Sequence, residues 1–319
     1  MSYDNRMYPL KMKPFLKDYI WGGTRLMEGY GKKTGLHIVA ESWEVSCHRD
    51  GESVVENGPL SGQALSSVLK RYPEWMGPWR DKAAEFPLLI KLIDARQRLS
   101  LQVHPDDEYA RRVEQQAGKN EMWYILEAQP GAELILGFER PLARSDIKEA
   151  IIGNELLAAV NRVPVQAGDC YCVPAGLIHA IGEGILIIEV QQTSNVTYRV
   201  YDYDRKDSNG NARILHIDKA LDVIDASLLP QKSEGAVLAD WPFFTCELII
   251  VDGNASLDRK NDSFQCVTVI DGQLSATWKG GSLLLRKGDS VFVPATMRDV
   301  CLTGVGKVIW ASEFPLCVA

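Results

Sequence analysis

Four polar residues stand where strand-like segments would normally carry apolar side chains. Gln102 and His104 lie in "LSLQVHPDD", where alternate strand residues share a face and Pro105 ends the pairing. Glu121 lies in "NEMWYIL" and His179 in "GLIHAIG". Each residue alone also fits an ordinary polar contact. Together, two imidazoles, one carboxylate and one amide oxygen suit a divalent transition ion, and they predict a Zn²⁺ site.

Two cationic residues accompany this donor set. Lys119 lies two residues before Glu121, and Arg199 lies in "TSNVTYRVYDYDR". A metal ion beside a lysine disfavours its ammonium form, which prepares the neutral amine to act as a base. An arginine stays charged and can bind an oxyanion or a phosphate with two hydrogen bonds. We therefore predict Lys119 and Arg199 as catalytic residues.

An internal repeat separates the metal-binding part of the chain from the rest. The segments "AGDCYCVPAGLIHAI" and "KGDSVFVPATMRDVC" align without gaps at a constant offset of 120 residues, and the strands before them, "EMWYILEAQPG" and "QCVTVIDGQ", also correspond. In the second copy Asp299 replaces His179 and Gln265 replaces Glu121. The repeat predicts two copies of one β unit, of which only the first binds zinc, giving one ion per chain.

The elements that must position these residues are mostly strands. Short segments rich in Val and Ile, bounded by Gly, Pro, Asn or Asp, are typical of antiparallel sandwiches and barrels. Residues 202–216 are polar and predict a connecting loop. Helical patterns are few, and they cover residues 63–77, 145–160 (with Ser145 and Asp146 as caps) and 218–224.

Composition and charge narrow the class of protein. The chain has 319 residues and a net charge of -7, which argues against a general nucleic-acid binder. It has neither an apolar start of signal-peptide length nor an apolar run long enough to span a bilayer. Its seven cysteines form no CxxC pair. We expect a cytoplasmic protein without a membrane partner, as a monomer or weak homo-oligomer.

Several segments resemble one enzyme family in their order and spacing. They are "IWGGTRL", "AESWEVS", "FPLLIKLIDARQRLSLQVHPDD", "GKNEMWYIL" and "VPAGLIHAIGEGILIIEVQQTSNVTYRVYDYDR". Over about residues 10–225 the chain is similar to the short bacterial form of the type I mannose-6-phosphate isomerases. The resemblance implies a mainly β fold of two cupin-type jelly rolls. Residues 1–235 would form the catalytic one with helical insertions, and residues 236–319 a metal-free one.

The same resemblance implies roles for individual residues. The zinc ligands would be Gln102, His104, Glu121 and His179, with Arg199 the active-site arginine and Lys119 the lysine of the family's GK-x-E motif. A sugar phosphate would be the substrate, in a pocket that includes Trp21, Glu41 and Lys91, with Trp43 as support. Conversion of an aldose to a ketose through an enediol needs an electrophile at the substrate oxygens, a base near C1 and C2, and a group that binds the phosphate. Candidates for the phosphate-binding group are Arg25, Lys91, Arg199 and Arg205.

Two other functions fit the donor set. Two histidines and a carboxylate also bind Fe²⁺ in oxygenases, although that chemistry has no evident need for Lys119 and Arg199. A sugar-phosphate-binding cupin without catalysis would keep the same pocket, although it would not need the base candidate. The sequence favours the isomerase over both.

Overall fold

The computed structural model describes residues 7–78, 85–206, 210–257 and 262–313, and the predicted mainly β fold is confirmed there. The described helices are α1 Arg25–Gly29, α2 Leu65–Arg71, α3 Asp107–Val113, α4 Arg144–Ile152 and α5 Ile217–Val223. The strands of the first part are β1 Leu10–Lys13, β2 Phe15–Lys17, β3 Glu41–Val45, β4 Cys47–His48, β5 Gly51–Glu52, β6 Val54–Val55, β7 Leu88–Ala95, β8 Leu101–Val103, β9 Glu121–Ala128, β10 Glu133–Phe138, β11 Val160–Pro164, β12 Cys170–Val173, β13 His179–Ile181, β14 Ile185–Gln192, β15 Tyr198–Tyr201 and β16 Gln231–Lys232. The remaining strands are β17 Val237–Asp240, β18 Thr245–Ser256, β19 Gln265–Trp278, β20 Gly281–Arg286, β21 Ser290–Val293 and β22 Cys301–Ser312.

Three large antiparallel sheets organise these strands. A seven-stranded sheet has the order β16-β12-β9-β14-β7-β3-β2, and a five-stranded sheet has the order β11-β10-β13-β8-β15. An eight-stranded sheet contains β17 to β22 and also β1 and β6, because β1 pairs with β21. The first described strand, β1, is therefore built into the C-terminal sheet, while the boundary at residue 235 stays a prediction.

Strand β14 shows how the sheets form layers. Its residues Ile185 and Ile187 pack between the seven- and five-stranded sheets, against residues such as Trp123. The alternate residues Ile188 and Val190 face the other way, into a core shared with the C-terminal sheet. A strand buried on both faces reads as a continuous apolar run. The polar residues Glu189 and Gln191, which interrupt this run, therefore point into the interior of the first barrel.

The predicted repeat has a structural counterpart in strand register. Val173 of β12 pairs with Glu121 of β9, and Val293 of β21 pairs with Gln265 of β19. The segments that align in sequence thus occupy equivalent positions in two β units, as predicted.

Helices occur in the three predicted segments, but the first two are shorter than expected, and α2 ends at Arg71 before a 3-10 turn at Pro73–Met76. Helix α4 ends at Ile152 because Gly153 and Asn154, whose φ is 58°, turn the chain out of the helical conformation. A separate 3-10 turn follows at Leu156–Ala158. The predicted caps are wrong, since Ala143 is the N-cap and the Ser145 hydroxyl instead bonds to the Asp146 carboxylate.

No helix or strand longer than an isolated bridge occurs in the described residues between 202 and 216, which confirms the loop there. No described helix has the length and apolar character needed to cross a membrane.

A buried ion pair joins the two β units. The Lys32 ammonium lies 2.7 Å from the Glu44 carboxylate and donates to the Gly288 carbonyl at 2.6 Å. The Ser290 hydroxyl donates to the other Glu44 oxygen at 3.1 Å. Glu44 is fully buried and Lys32 nearly so. The Ser42 hydroxyl of the same strand also donates to Glu44, at 2.6 Å, so the carboxylate is compensated from both β units.

Removing one partner of this pair is expected to destabilise the protein strongly. Glu44→Ala leaves the Lys32 ammonium buried without its counter-ion, which costs about 3–5 kcal/mol of unfolding free energy. A Lys32→Met/Glu44→Leu double variant removes both charges and should regain most of that loss. Chemical denaturation of the three proteins measures the difference. A loss below about 1 kcal/mol in Glu44→Ala would contradict the importance of this pair.

Candidate metal centre and substrate cavity

Three of the predicted ligands converge inside the first barrel. His104 directly follows β8, His179 begins β13, and Glu121 begins β9 on the facing sheet. Their closest ring nitrogen and carboxylate atoms all lie within 4.8 Å of one another. The two Nε2 atoms are 3.1 Å apart, and His104 Nε2 lies 3.3 Å from Glu121 Oε1. The Gln102 amide nitrogen is 3.4 Å from His179 Nε2, so an exchange of its amide atoms would direct the oxygen toward the same centre.

Hydrogen bonds on the far side of each imidazole fix its tautomer. His104 Nδ1 lies 2.8 Å from the Val196 carbonyl, and His179 Nδ1 lies 2.8 Å from the Leu177 carbonyl. A carbonyl only accepts, so each Nδ1 carries the proton and each Nε2 a lone pair. Two lone pairs that face each other at this distance repel unless a cation lies between or beside them. Backbone carbonyls that orient ligand imidazoles in this way are typical of metal sites.

The carboxylate of Glu121 also fits a cation. It is completely buried, and it is contacted by the Lys119 ammonium at 2.5 Å but accepts no well-aligned hydrogen bond. Burial opposes its ionisation, but the charge of Lys119 and the neighbouring His104 hold the pKa of Glu121 well below its ordinary value. Burial, together with the charge of Lys119, lowers the pKa of His104 to about 3, and burial also lowers the pKa of His179. Neutral imidazoles and an ionised carboxylate are the protonation states that bind a divalent metal.

A cavity of about 350 Å³ is lined by Gln102 and Lys119, whose side chains contact the three buried ligands. Its volume is within the range of small-molecule sites, roughly 300–1,000 Å³. His104, Glu121 and His179 are behind its wall, with exposures of 0–1%. The structure brings the other predicted residues together as cavity lining: Trp21, Glu41, Lys91, Gln102, Lys119 and Arg199.

A charged network in the cavity wall was only partly anticipated. Lys91 donates to Glu189 at 2.9 Å and to Gln191 at 2.7 Å, and Glu189 accepts from Trp123 Nε1 at 3.0 Å. Burial lowers the pKa of Lys91, but the charges of Glu189, Glu41 and Glu121 together outweigh it, and the net effect raises the pKa. Sequence analysis missed Glu189 and Gln191, although their spacing of two within a buried strand is the same signal that identified Gln102 and His104.

The "IWGG" loop places Trp21 at the cavity through a buried aspartate. Asp94 accepts the Arg25 backbone N–H at 2.9 Å and its Nε at 2.8 Å. A Cβ atom on Gly23 would lie 2.4 Å from the Asp94 carboxylate, so the close approach requires glycine there. Arg25, a candidate for the phosphate-binding group, is therefore engaged in holding this loop and does not line the cavity.

The equivalent positions of the second β unit are occupied differently. The Gln265 carbonyl oxygen accepts from Trp310 Nε1 at 2.7 Å, and the Asp299 carboxylate accepts from the Lys279 backbone N–H at 2.7 Å. Val267 is the counterpart of Trp123 in the repeat. Val267 pairs with Trp310 and Trp123 pairs with Glu189, so Trp310 stands at the register position that Glu189 has in the first unit.

We predict that the second unit binds no metal, because its polar counterparts bond to separate partners and do not converge. Protein saturated with zinc and then freed of excess should contain one equivalent per chain by elemental analysis. A His104→Ala/His179→Ala variant serves as the control and should contain none. A second equivalent that persists in this variant and disappears in Gln265→Ala would contradict the prediction.

Comparisons with known proteins agree with this arrangement. A model of the phosphomannose isomerase type I catalytic domain matches residues 9–134, and a mannose-6-phosphate isomerase cupin domain model matches residues 237–312. A mannose-6-phosphate isomerase of Streptococcus mutans is 38% identical over 310 residues, covering 94% of this chain and 97% of that protein. One from Bacillus subtilis is 36% identical over 312 residues, with 94% and 98% covered.

Solved structures extend the agreement to the fold. The crystal structure of the mannose 6-phosphate isomerase from Bacillus subtilis has a TM-score of 0.88 at 33% sequence identity, with 95% of this chain and 99% of that chain covered. The predicted pair of cupin-type β units is thereby confirmed. With a relative this similar over nearly its whole length, the chain belongs to the type I phosphomannose isomerase family.

Proposed function

We propose that this protein interconverts mannose 6-phosphate and fructose 6-phosphate, using one zinc ion held by Gln102, His104, Glu121 and His179. The observation that carries the proposal is an oriented donor set in contact with Lys119, which lines a cavity together with Arg199. The named activity of the relatives that match this chain over nearly its full length supports the same substrate.

The metal would supply Lewis acidity toward the substrate oxygens near C1 and C2. The chain's own residues prepare for it by excluding water and fixing their protonation states. With one carboxylate among four ligands, a divalent ion would keep a net positive charge. Such a centre would favour the negative charge that develops as an enediol forms.

Lys119 is the base in this proposal. Its Nζ lies 3.1 Å from His104 Nε2 and close to Glu121, and its side chain lines the cavity. A dication bound beside it would disfavour the ammonium form, so the amine can accept the proton from C2 and return it to C1. A hydroxyl proton moves from O2 to O1 in the same conversion, so the composition of the sugar is unchanged. Lys91 is less suited to this role because Glu189 raises its pKa and stabilises the ammonium.

Arg199 would stabilise negative charge on the substrate. Its Nε donates to the Ser100 hydroxyl at 3.2 Å and its Nη1 to the Ile214 carbonyl at 3.0 Å, which fixes the guanidinium at the cavity wall. A preorganised cation contributes more to catalysis than one that must be ordered during the reaction.

The proposal is tested by following both isomerisation and oxygen uptake. Purified protein is incubated with mannose 6-phosphate, and fructose 6-phosphate is measured by a coupled assay while dissolved oxygen is recorded. We expect conversion in both directions without oxygen consumption. Oxygen uptake without fructose 6-phosphate would favour the iron oxygenase, and substrate binding without either would favour a sugar-phosphate-binding protein.

A further inference from the structure

Arg213 reaches the substrate cavity from the loop after β15 and is held there by one buried carboxylate. Its Nε donates to Asp202 Oδ2 at 2.7 Å and its Nη2 to Asp202 Oδ1 at 2.5 Å. Asp202 is only 6% exposed, so this two-point contact fixes the plane of the guanidinium. Among the described residues Arg213 Nη1 has no hydrogen-bond partner, and Arg213 lines the cavity. One edge of the group is therefore available to a ligand.

The surrounding charges do not balance. Asp202 also pairs with Arg205 at 2.5 Å, but Arg205 donates onward to the Arg98 carbonyl at 2.6 Å and does not line the cavity. Arg199 lies in the same wall, and burial together with the positive charge of Arg213 lowers its pKa. Asp202 pairs with Arg205 and Arg213, whereas Arg199 bonds to the Ser100 hydroxyl and the Ile214 carbonyl. This group of three guanidiniums and one carboxylate therefore carries two positive charges in excess.

We propose that Arg213 binds the phosphate group of the substrate and that Asp202 is the residue that positions it. This inference rests on the proposed function, because it assigns the phosphate of that substrate to a place in the cavity. A phosphate dianion would offset the two excess charges, and a guanidinium matches the geometry of phosphate oxygens. Lys91, another candidate for this role, is paired with Glu189 and also donates to Gln191.

Arg213→Met tests the assignment by comparing a phosphorylated with an unphosphorylated substrate. We expect kcat/KM for mannose 6-phosphate to fall about 10- to 100-fold, mainly through KM, as for loss of a charged hydrogen bond. The kcat/KM for free mannose should change less than about threefold, and the inhibition constant of inorganic phosphate should rise. Arg98→Met removes the same charge from an exposed neighbour and should leave all three values near those of the wild type.

Asp202→Asn separates positioning from folding. The asparagine keeps the shape of the side chain but lacks the charge that orients Arg213. KM for mannose 6-phosphate should therefore rise, while kcat and the kcat/KM for free mannose stay near normal. A purely structural role would lower the melting temperature without changing the preference for the phosphorylated sugar. Arg213→Lys should recover part of the phosphate affinity, because it restores charge without the planar geometry.

The outcomes distinguish this inference from the proposed function. If the wild type isomerises mannose 6-phosphate and a folded Arg213→Met variant keeps its KM and phosphate inhibition within twofold, the phosphate assignment is wrong and the isomerase stands. If the wild type does not isomerise mannose 6-phosphate, calorimetric binding of inorganic phosphate still tests whether Arg213 forms an anion site. Binding that is lost in Arg213→Met supports the anion site, whereas no binding to the wild type overturns it.

Discussion

His179→Ala is expected to abolish metal binding and isomerase activity together. The variant removes one of two imidazoles whose Nε2 atoms face each other at 3.1 Å, and it leaves at most three protein ligands. Loss of a ligand from a site of this type reduces both affinity and the Lewis acidity available to the substrate. His104→Ala should behave in the same way. Elemental analysis and the coupled isomerase assay measure the two effects on one preparation.

The fold should survive these substitutions, since most of the barrel core is apolar. His48→Ala provides a matched control, because His48 is also buried but lies outside the ligand cluster. That variant should retain one equivalent of metal. Wild-type metal content and turnover in either ligand variant would show that the ligand assignment is wrong.

Lys119→Met is expected to lower turnover by roughly 10²- to 10⁴-fold, the usual contribution of a positioned base. Methionine keeps an apolar stem of similar length and leaves the metal ligands in place. Substrate binding should therefore change only modestly, and zinc content should stay near one equivalent. In deuterated water the wild type should introduce deuterium at C2 of mannose 6-phosphate or C1 of fructose 6-phosphate, and the variant should lose exchange and turnover together.

The turnover number of the variant decides this prediction. Deuterium exchange alone does not, because a base shielded from solvent can return the same proton, so that the wild type shows no exchange either. Lys219→Met removes an exposed ammonium and controls for the change of net charge. Near-normal turnover in a fully zinc-loaded Lys119→Met enzyme would exclude the lysine as base. The search would then move to Glu41 and Arg199, which line the same cavity.

The metal site could be predicted from the sequence because the residues that indicate it can be recognised within short segments of the chain. Gln102 and His104 interrupt an apolar strand at a spacing of two. In the second copy of the repeat, Gln265 and Asp299 stand in place of Glu121 and His179. Glu189 carried the same local signal and was overlooked within a strand that is buried on both faces.

Other features depend on contacts between distant parts of the chain. Arg213 and Asp202 lie in an irregular loop without periodicity, so only the folded loop shows that Arg213 lines the cavity and that Asp202 holds it there. The start of α4 is another case, because Arg144 bonds to the Leu221 carbonyl and to Asp222. This contact with α5 accompanies a start at Arg144, one residue before the predicted segment 145–160. The placement of β1 in the C-terminal sheet likewise follows from a pairing with β21, far along the chain.

The central claim is that the buried cluster of His104, Glu121 and His179 holds the metal on which isomerisation depends. The most direct measurement removes the metal with a chelator, confirms by elemental analysis that none remains, and titrates zinc back while the conversion of mannose 6-phosphate to fructose 6-phosphate is recorded. We predict negligible activity without metal and a linear recovery that saturates at one zinc per chain in the wild type, with no recovery in His179→Ala. Full activity in verified metal-free protein would contradict the account.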